Sequence, residues 1–254
     1  MTLNNLNKQI DIQLKKLGGD VTLRVKFLNT KEEIKVNQDF QFWAASVILI
    51  PIACEFFRQV NEGKINPETK TKIKAENRVE GSGVFKLLNK DDEFTYLDLV
   101  TLMLDISDNA GTNEIVDIIG WENVEKYMHQ LGLLNTTFRH KMMIKAGRGP
   151  NFTTAQDITI LLEKLYNNEI PGAAQILAIL KQQQDRRRIP LLLPNDIEIA
   201  NKTGSLEKAV HDAGIIYSKN PFIFVFLSDD QEDKILTNEV LSGCAKLCFD
   251  YSIN

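Results

Sequence analysis

Strand-like segments stand at both ends of this chain and are missing from its middle. Near the start, "VTLRVKF" and "EEIKV" alternate β-branched and polar residues around the polar "LNTK", the pattern of a hairpin. Near the end, "DIEIANKTG", "AVHDAGIIYS" and "PFIFVFLS" form three more such segments. A strand needs partners for its backbone groups, and two strands alone make a marginal sheet. The five segments therefore predict one antiparallel sheet completed from both ends of the chain, an α+β fold with a helical insertion. Residues 1–45 and 190–254 would together form an α/β lobe and residues 46–189 an all-helical lobe. A ligand cleft is expected between them.

The middle reads as helix almost throughout, with helices expected over 46–60, 95–104, 108–119, 121–131, 153–168 and 171–184. Leu3, Leu6, Ile10, Leu14 and Leu17 recur at helical spacing ahead of Gly18 and Gly19, which predicts an opening helix with a glycine exit. "DKILTNEVLSGCAKLCFDY" predicts a closing one. Thr95 with Asp98 has the form of a capping box, and Thr153 or Thr154 can cap the helix that follows. The polar span 78–94 reads as a surface loop with one short apolar turn, able to line a cleft.

Charge and composition exclude several classes. A net charge of −4 gives no overall pull toward nucleic acid. The longest apolar run, near residues 43–54, is too short to span a bilayer. "MTLNNLNKQIDIQLKKLGGD" has no apolar signal region, so a cytoplasmic location is expected for the chain as given, with a mature secreted form as the alternative. Three cysteines are an odd number without metal-ligand spacing, and Cys244 and Cys248 read as small buried side chains. His129, His140 and His211 are too dispersed to suggest a zinc site. No metal or organic cofactor is expected, and the chain is expected to act as a monomer. The run Arg186–Arg188 after Asp185 reads as a solvated surface with local ion pairs.

Three short motifs occur in order: Ser46 opening a helix in "FWAASVILIPIACEFF", "SDN" at Ser107, Asp108 and Asn109, and "KTG" at Lys202, Thr203 and Gly204. Each is weak alone, but their order and placement make the joint match specific. With "KTGSLEKAVHDAGIIY" and "QQQDRRRIPLLLP", the chain resembles the class A serine β-lactamases and penicillin-binding proteins, whose motifs are S-x-x-K, S-D-N and K-T-G. The resemblance covers almost the whole chain. It implies a β-lactamase/transpeptidase-like fold, with a five-stranded antiparallel sheet flanked by helices.

It also implies roles. Ser46 would attack the carbonyl of a β-lactam or D-alanyl peptide and form an acyl-enzyme, its own N–H helping to bind the oxyanion. Ser107 would relay a proton to the leaving nitrogen, and Asn109 would offer an amide to the substrate. Lys202, Thr203 and Ser205 would bind the substrate carboxylate, and small Gly204 would let the substrate backbone approach.

Two departures stand out. Residues 46–49 read Ser-Val-Ile-Leu, so Leu49 occupies the lysine position and offers no proton-accepting atom. Positioned general bases contribute about 10²- to 10⁴-fold, so acylation should be slow. Lys202 acting through Ser107 is the one nearby substitute the layout suggests, and a carboxylate-bearing substrate would oppose the neutral amine it needs. Second, there is no E-x-x-L-N segment: "RHKMMIKAGRGPNFTTAQD" carries no glutamate, so an acyl-enzyme should be long-lived. A triad of Ser46, His211 and Asp212 is disfavoured, because neighbours on a strand point to opposite faces. Two expectations follow, a weak serine hydrolase acting on β-lactams, D-alanyl peptides or small esters, or a catalytically silent module that keeps the carboxylate-binding groove for a peptidoglycan-like ligand.

Overall fold

A computed structural model describes residues 1–144 and 149–254. The chain opens with α1 (Leu3–Leu14), capped by the Thr2 hydroxyl on Asn5 N–H, and continues through the hairpin β1 (Asp20–Phe27) and β2 (Glu33–Val36). After a two-residue β3 (Phe42–Trp43) come α2 (Leu49–Asn61), then β4 (Lys70–Thr71) and β5 (Phe94–Thr95), which pair with each other. The helices α3 (Tyr96–Ile106), α4 (Asn109–Ile119) and α5 (Trp121–Gln130) follow. Then come β6 (Phe152–Thr153), which pairs with β3, and α6 (Ala155–Tyr166) and α7 (Ala173–Leu180). The strands β7 (Ile199–Ser205), β8 (Val210–Ile216) and β9 (Phe222–Asp229) precede a final α8 (Lys234–Ser252).

All five long strands form one antiparallel sheet in the order β2-β1-β9-β8-β7. β9 pairs with the N-terminal β1 along its full length, from Asp20 opposite Asp229 to Phe27 opposite Phe222. The sheet is thus closed by strands some two hundred residues apart in sequence, as the flanking pattern predicts. β7 lies at one edge, and that edge matters for the site.

Alternation along the strands serves two separate cores. Leu23, Val25 and Phe27 with Phe222, Phe224 and Phe226 face α1 and α8, where Leu6, Ile10, Leu241 and Cys248 are buried. Ile223, Val225 and Leu227 with Ala200 and Ala213 face the helical block. On that second face β1 turns polar, and Lys26 Nζ bonds the Glu163 carboxylate of α6 at 2.7 Å. Cys244 and Cys248 are fully buried in α8, and burial pushes the Cys244 thiol up to about 12.

α2 runs through the middle of the helical block and is buried on nearly all sides from Leu49 to Phe57, as a helix apolar all round must be. Its one acidic side chain, Glu55, is fully buried and satisfied by Arg58 and Gln59. Three differences from the sequence reading concern helix ends. Residues Ala45–Ile48 form a 3₁₀ turn, so the α-helix begins at Leu49. α1 stops at Leu14, and α7 is shorter than expected. Thr154 is the cap of α6, accepting from Asp157 N–H at 3.1 Å, and Thr95 with Asp98 forms the full capping box on α3.

Candidate active site

Ser46 sits in the 3₁₀ turn that leads into α2. Leu49, three residues on, is the first residue of α2 and is fully buried in the helical core. The preceding residue, Ala45, has φ +44°, a left-handed conformation unusual for a residue with a Cβ. Local sequence alone would not select it. β7 passes close beside it: a Cβ on Gly204 would stand 3.1 Å from the Ala45 Cβ and 3.3 Å from the His211 Cβ. Gly204 therefore first allows the strand to approach the serine turn, a service the sequence reading had assigned to the substrate backbone.

The "SDN" residues form the turn between α3 and α4. Ser107 ends α3 in the left-handed region at φ 58°, ψ 41°, which turns its hydroxyl off the helix axis. Asp108 caps α4 on Gly111 N–H at 2.9 Å and also accepts from the N–H groups of Val84 at 2.5 Å and Phe85 at 2.9 Å. It ties the 78–94 loop to the helices, which brings Ser82 to the cleft. Asn109 donates from its side-chain amide to Glu80 O at 3.0 Å. Asn109 is 5% exposed and is not among the residues that line the cavity of the cleft.

Lys202 of β7 is fully buried and reaches Ser107, with Nζ 2.5 Å from Oγ and 3.1 Å from Thr203 O. Its amine is brought down to about 7: burial is the largest cause and Arg188 acts with it, while the negative charges of Asp212, Asp185 and Asp105 act the other way. Ser46, Ser107, Thr203, Ser205, Ser82 and Asp105 line one cavity of about 480 Å³, closed on a further side by the stretch 183–187. The cavity lies at the edge of the sheet, lined there by Thr203 and Ser205 of β7.

The expected solvated arginine run is corrected at Arg188. Arg187 does pair with Asp185 on the surface. Arg188, however, is only 4% exposed. It donates to Gly204 O at 2.7 Å, to His211 O, and to Ser205 Oγ at 2.5 Å. It thus braces the strand that carries the KTG residues and stands as a positive charge behind Ser205. The only signal for this in the sequence was its place at the switch from "DRR" to the apolar "IPLLL".

Asp212, opposite Thr203 in register, was weighed only as a triad member. It is buried and takes hydrogen bonds from Asn201 Nδ2 and Ile189 N–H. Burial raises its carboxyl to about 6. His211 faces the other way. Its Nε2 lies 2.7 Å from Trp43 O and its Nδ1 accepts from Ser228 N–H at 3.1 Å, so both ring nitrogens are engaged. Burial depresses it to about 4. Adjacent on β8 but on opposite faces, the two residues make no triad.

Part of the glutamate-free segment, residues 145–148, lies outside the described residues. In what is described, Asn113 of α4 closes two hydrogen bonds with the Met142 backbone, donating to its O at 3.0 Å and accepting from its N–H at 2.7 Å. Asp157, the one acid in the segment, is buried and committed to Asn135 N–H and the Thr136 hydroxyl, both at 2.8 Å. It does not line the cleft. Among the described residues no three His, Cys, Asp or Glu side chains are grouped to hold a metal.

Comparison with known proteins decides the family. Residues 5–252 match the model of the beta-lactamase enzyme family. The chain belongs to that family. It is 24% identical to the β-lactamase VEB-1 of Pseudomonas aeruginosa, over 99% of this chain and 91% of that one. A β-lactamase structure from Sphaerobacter thermophilus superposes with a TM-score of 0.92 at 25% identity, covering 99% and 98% of the two chains. PBP-A shares the fold with a TM-score of 0.91 at 24% identity, covering 98% and 96%. The five-stranded sheet and the helices packed on it are thus those of a serine β-lactamase-like hydrolase of the family.

Proposed function

We propose that the chain is an acyl-transfer enzyme of slow turnover, in which Ser46 takes an acyl group from a β-lactam or a D-alanyl peptide. The observation that carries this reading is the convergence of Ser46, Ser107, Thr203 and Ser205 on one cavity, with Lys202 bonded to Ser107 behind it. Ser46 supplies the nucleophile. Its N–H, in the first turn of a helix, is suited to a developing oxyanion. Thr203 and Ser205, with the charge of Arg188 behind Ser205, suit a carboxylate. A mutant of PBP-A is described as an acyl-enzyme complex with penicillin G, which supports a β-lactam as the ligand class.

Slow turnover rests on two observations. Leu49 puts hydrocarbon beneath the nucleophile, and the described part of the 139–157 segment holds no free carboxylate to activate water. The same Leu49 favours a second reading, a silent module that binds ligand in the groove without acylation. Intact-protein mass spectrometry after incubation with penicillin G separates the two. A single adduct that vanishes in Ser46→Ala is expected. Thermal stabilisation by penicillin G that is equal in both proteins, with no adduct, would instead establish the silent module.

A further inference from the structure

We propose that Ser107 and Lys202 together replace the missing base, and that this dyad makes the site selective for acyl donors whose leaving group carries no carboxylate. The inference rests on the acyl-transfer reading above and assigns its proton path and its substrate class.

The geometry excludes other acceptors in turn. Leu49 has no lone pair. His211 has both nitrogens engaged and faces β9 and Trp43. Asp212 is bound to Asn201 and Ile189. Asp185 is held by Arg187. What remains along the cavity wall is Asp105 of α3, which touches Gln184 at 3.5 Å, and Ser107, whose hydroxyl is in contact with the Lys202 amine at 2.5 Å. Only Ser107 has a second basic group immediately behind it. A serine is a poor base by itself, and an amine in hydrogen-bond contact is what converts it into a relay.

The proton balance is simple. With Lys202 neutral, Ser107 Oγ–H donates to its Nζ. Ser46 Oγ attacks the donor's carbonyl carbon and a C–O bond forms. The Ser46 proton passes to Ser107 Oγ, while the Ser107 proton passes to Nζ and leaves an ammonium. As the tetrahedral intermediate collapses, the bond to the leaving oxygen or nitrogen breaks and the proton returns through Ser107 to that atom. Lys202 is neutral again and the acyl group stays on Ser46.

Such a lysine cannot serve two roles at once. The groups that face it are Asp212 from β8, Arg188 and Asp185 from the segment before the strand, and Asp105 from α3. Their charges oppose one another, and burial tips the balance toward the neutral amine. A carboxylate docked against Thr203 and Ser205 adds a negative charge beside the amine and favours its protonated form. That switches the base off. An uncharged ester or amide leaves it on.

A matched pair of esters tests this: an acylglycine ester of glycolic acid and the same ester of glycolamide, differing only in carboxylate against carboxamide on the leaving group. Acylation of the unmodified protein is followed by mass from pH 5.5 to 9. The glycolamide ester should react at least about 10-fold faster at pH 7, with a rate that rises through a midpoint near 7, the value to which burial brings Lys202. The glycolate ester should show a higher midpoint. Ser107→Ala should lose about 10²-fold or more while keeping its melting temperature. Asp105→Asn should stay active with its midpoint moved to lower pH, because a negative charge that favours the ammonium is gone. In Leu49→Lys the preference for the amide should shrink or reverse.

A faster glycolate ester at every pH, a flat pH profile, or loss of acylation in Asp105→Asn overturns the dyad. If Leu49→Lys reacts and the unmodified protein does not, the dyad fails while the acyl-transfer reading stands. If no ester acylates even Leu49→Lys, or if Ser46→Ala forms the same adducts, the acyl-transfer reading itself falls.

Discussion

The two walls of the cleft have been treated differently by the sequence. The strand wall is polar and interlocked: Lys202 on Ser107, Arg188 on two backbone carbonyls and Ser205, Asp212 on Asn201 and Ile189. The helix wall under Ser46 is hydrocarbon. On the strand wall each charged group also braces the fold, so removing one leaves buried partners unpaired. At position 49 a hydrocarbon packs into the helical core at no structural cost. The contrast teaches that the two sides of this cleft are not equally tied to stability. The strand side is built into the sheet, whereas the helix side under Ser46 is one side chain that can be exchanged.

The sharpest way to break the contrast is to make the helix wall polar. Leu49→Lys should raise the acylation rate with penicillin G by about 10²- to 10⁴-fold, read as the growth of the adduct mass. Burial at this position lowers an amine's proton affinity, which suits a base. An unchanged rate would mean that the helix wall differs from a working one in more than this residue.

The strand wall is tested by its own brace. Arg188→Leu should cost about 3–5 kcal/mol, because two buried carbonyls lose their donor and Asp212 loses the positive charge beside it. The urea midpoint measures this. A change under about 1 kcal/mol would mean that the wall is as dispensable as the helix side.

The buried lysine gives a smaller, pH-dependent effect. The folded value near 7 lies well below that of an unfolded lysine, about 10.4. Between those values the unfolded chain holds the extra proton, so this group makes stability rise with pH. The slope reaches up to about 1.4 kcal/mol per pH unit. Lys202→Met removes the term. The stability difference between the two proteins, followed from pH 7 to 9 by denaturant titration, should therefore move in favour of the unmodified chain as pH rises. The smallest effect is expected where the walls touch: Gly204→Ala should cost about 1–2 kcal/mol, since its Cβ meets Ala45 and His211 at 3.1 and 3.3 Å.

Much of this was legible in the sequence because it is written in periodicity. The two-residue alternation at both ends foretold the sheet, and the family resemblance carried by the three motifs singled out Ser46, Ser107 and Thr203, which line one cavity. What was not legible was set by tertiary packing. The left-handed φ of Ala45 has no local signal, and the close approach of Gly204 to it joins residues far apart in the chain. Arg188 sits in a run of charges that composition assigns to solvent, and only the fold shows the third arginine turned inward. Asp212 and His211 are neighbours in the chain, yet the strand sends one toward Asn201 and the other toward Trp43.

The strand order carries a consequence for biosynthesis. β9, residues 222–229, is the last strand to leave the ribosome, yet it lies between β1 and β8. Until it emerges, the N-terminal hairpin has one edge uncovered and the apolar faces of Leu23, Val25 and Phe27 lack their main neighbours. The sheet therefore closes only after β9 has emerged, and the early hairpin must be kept from pairing with other chains while it waits.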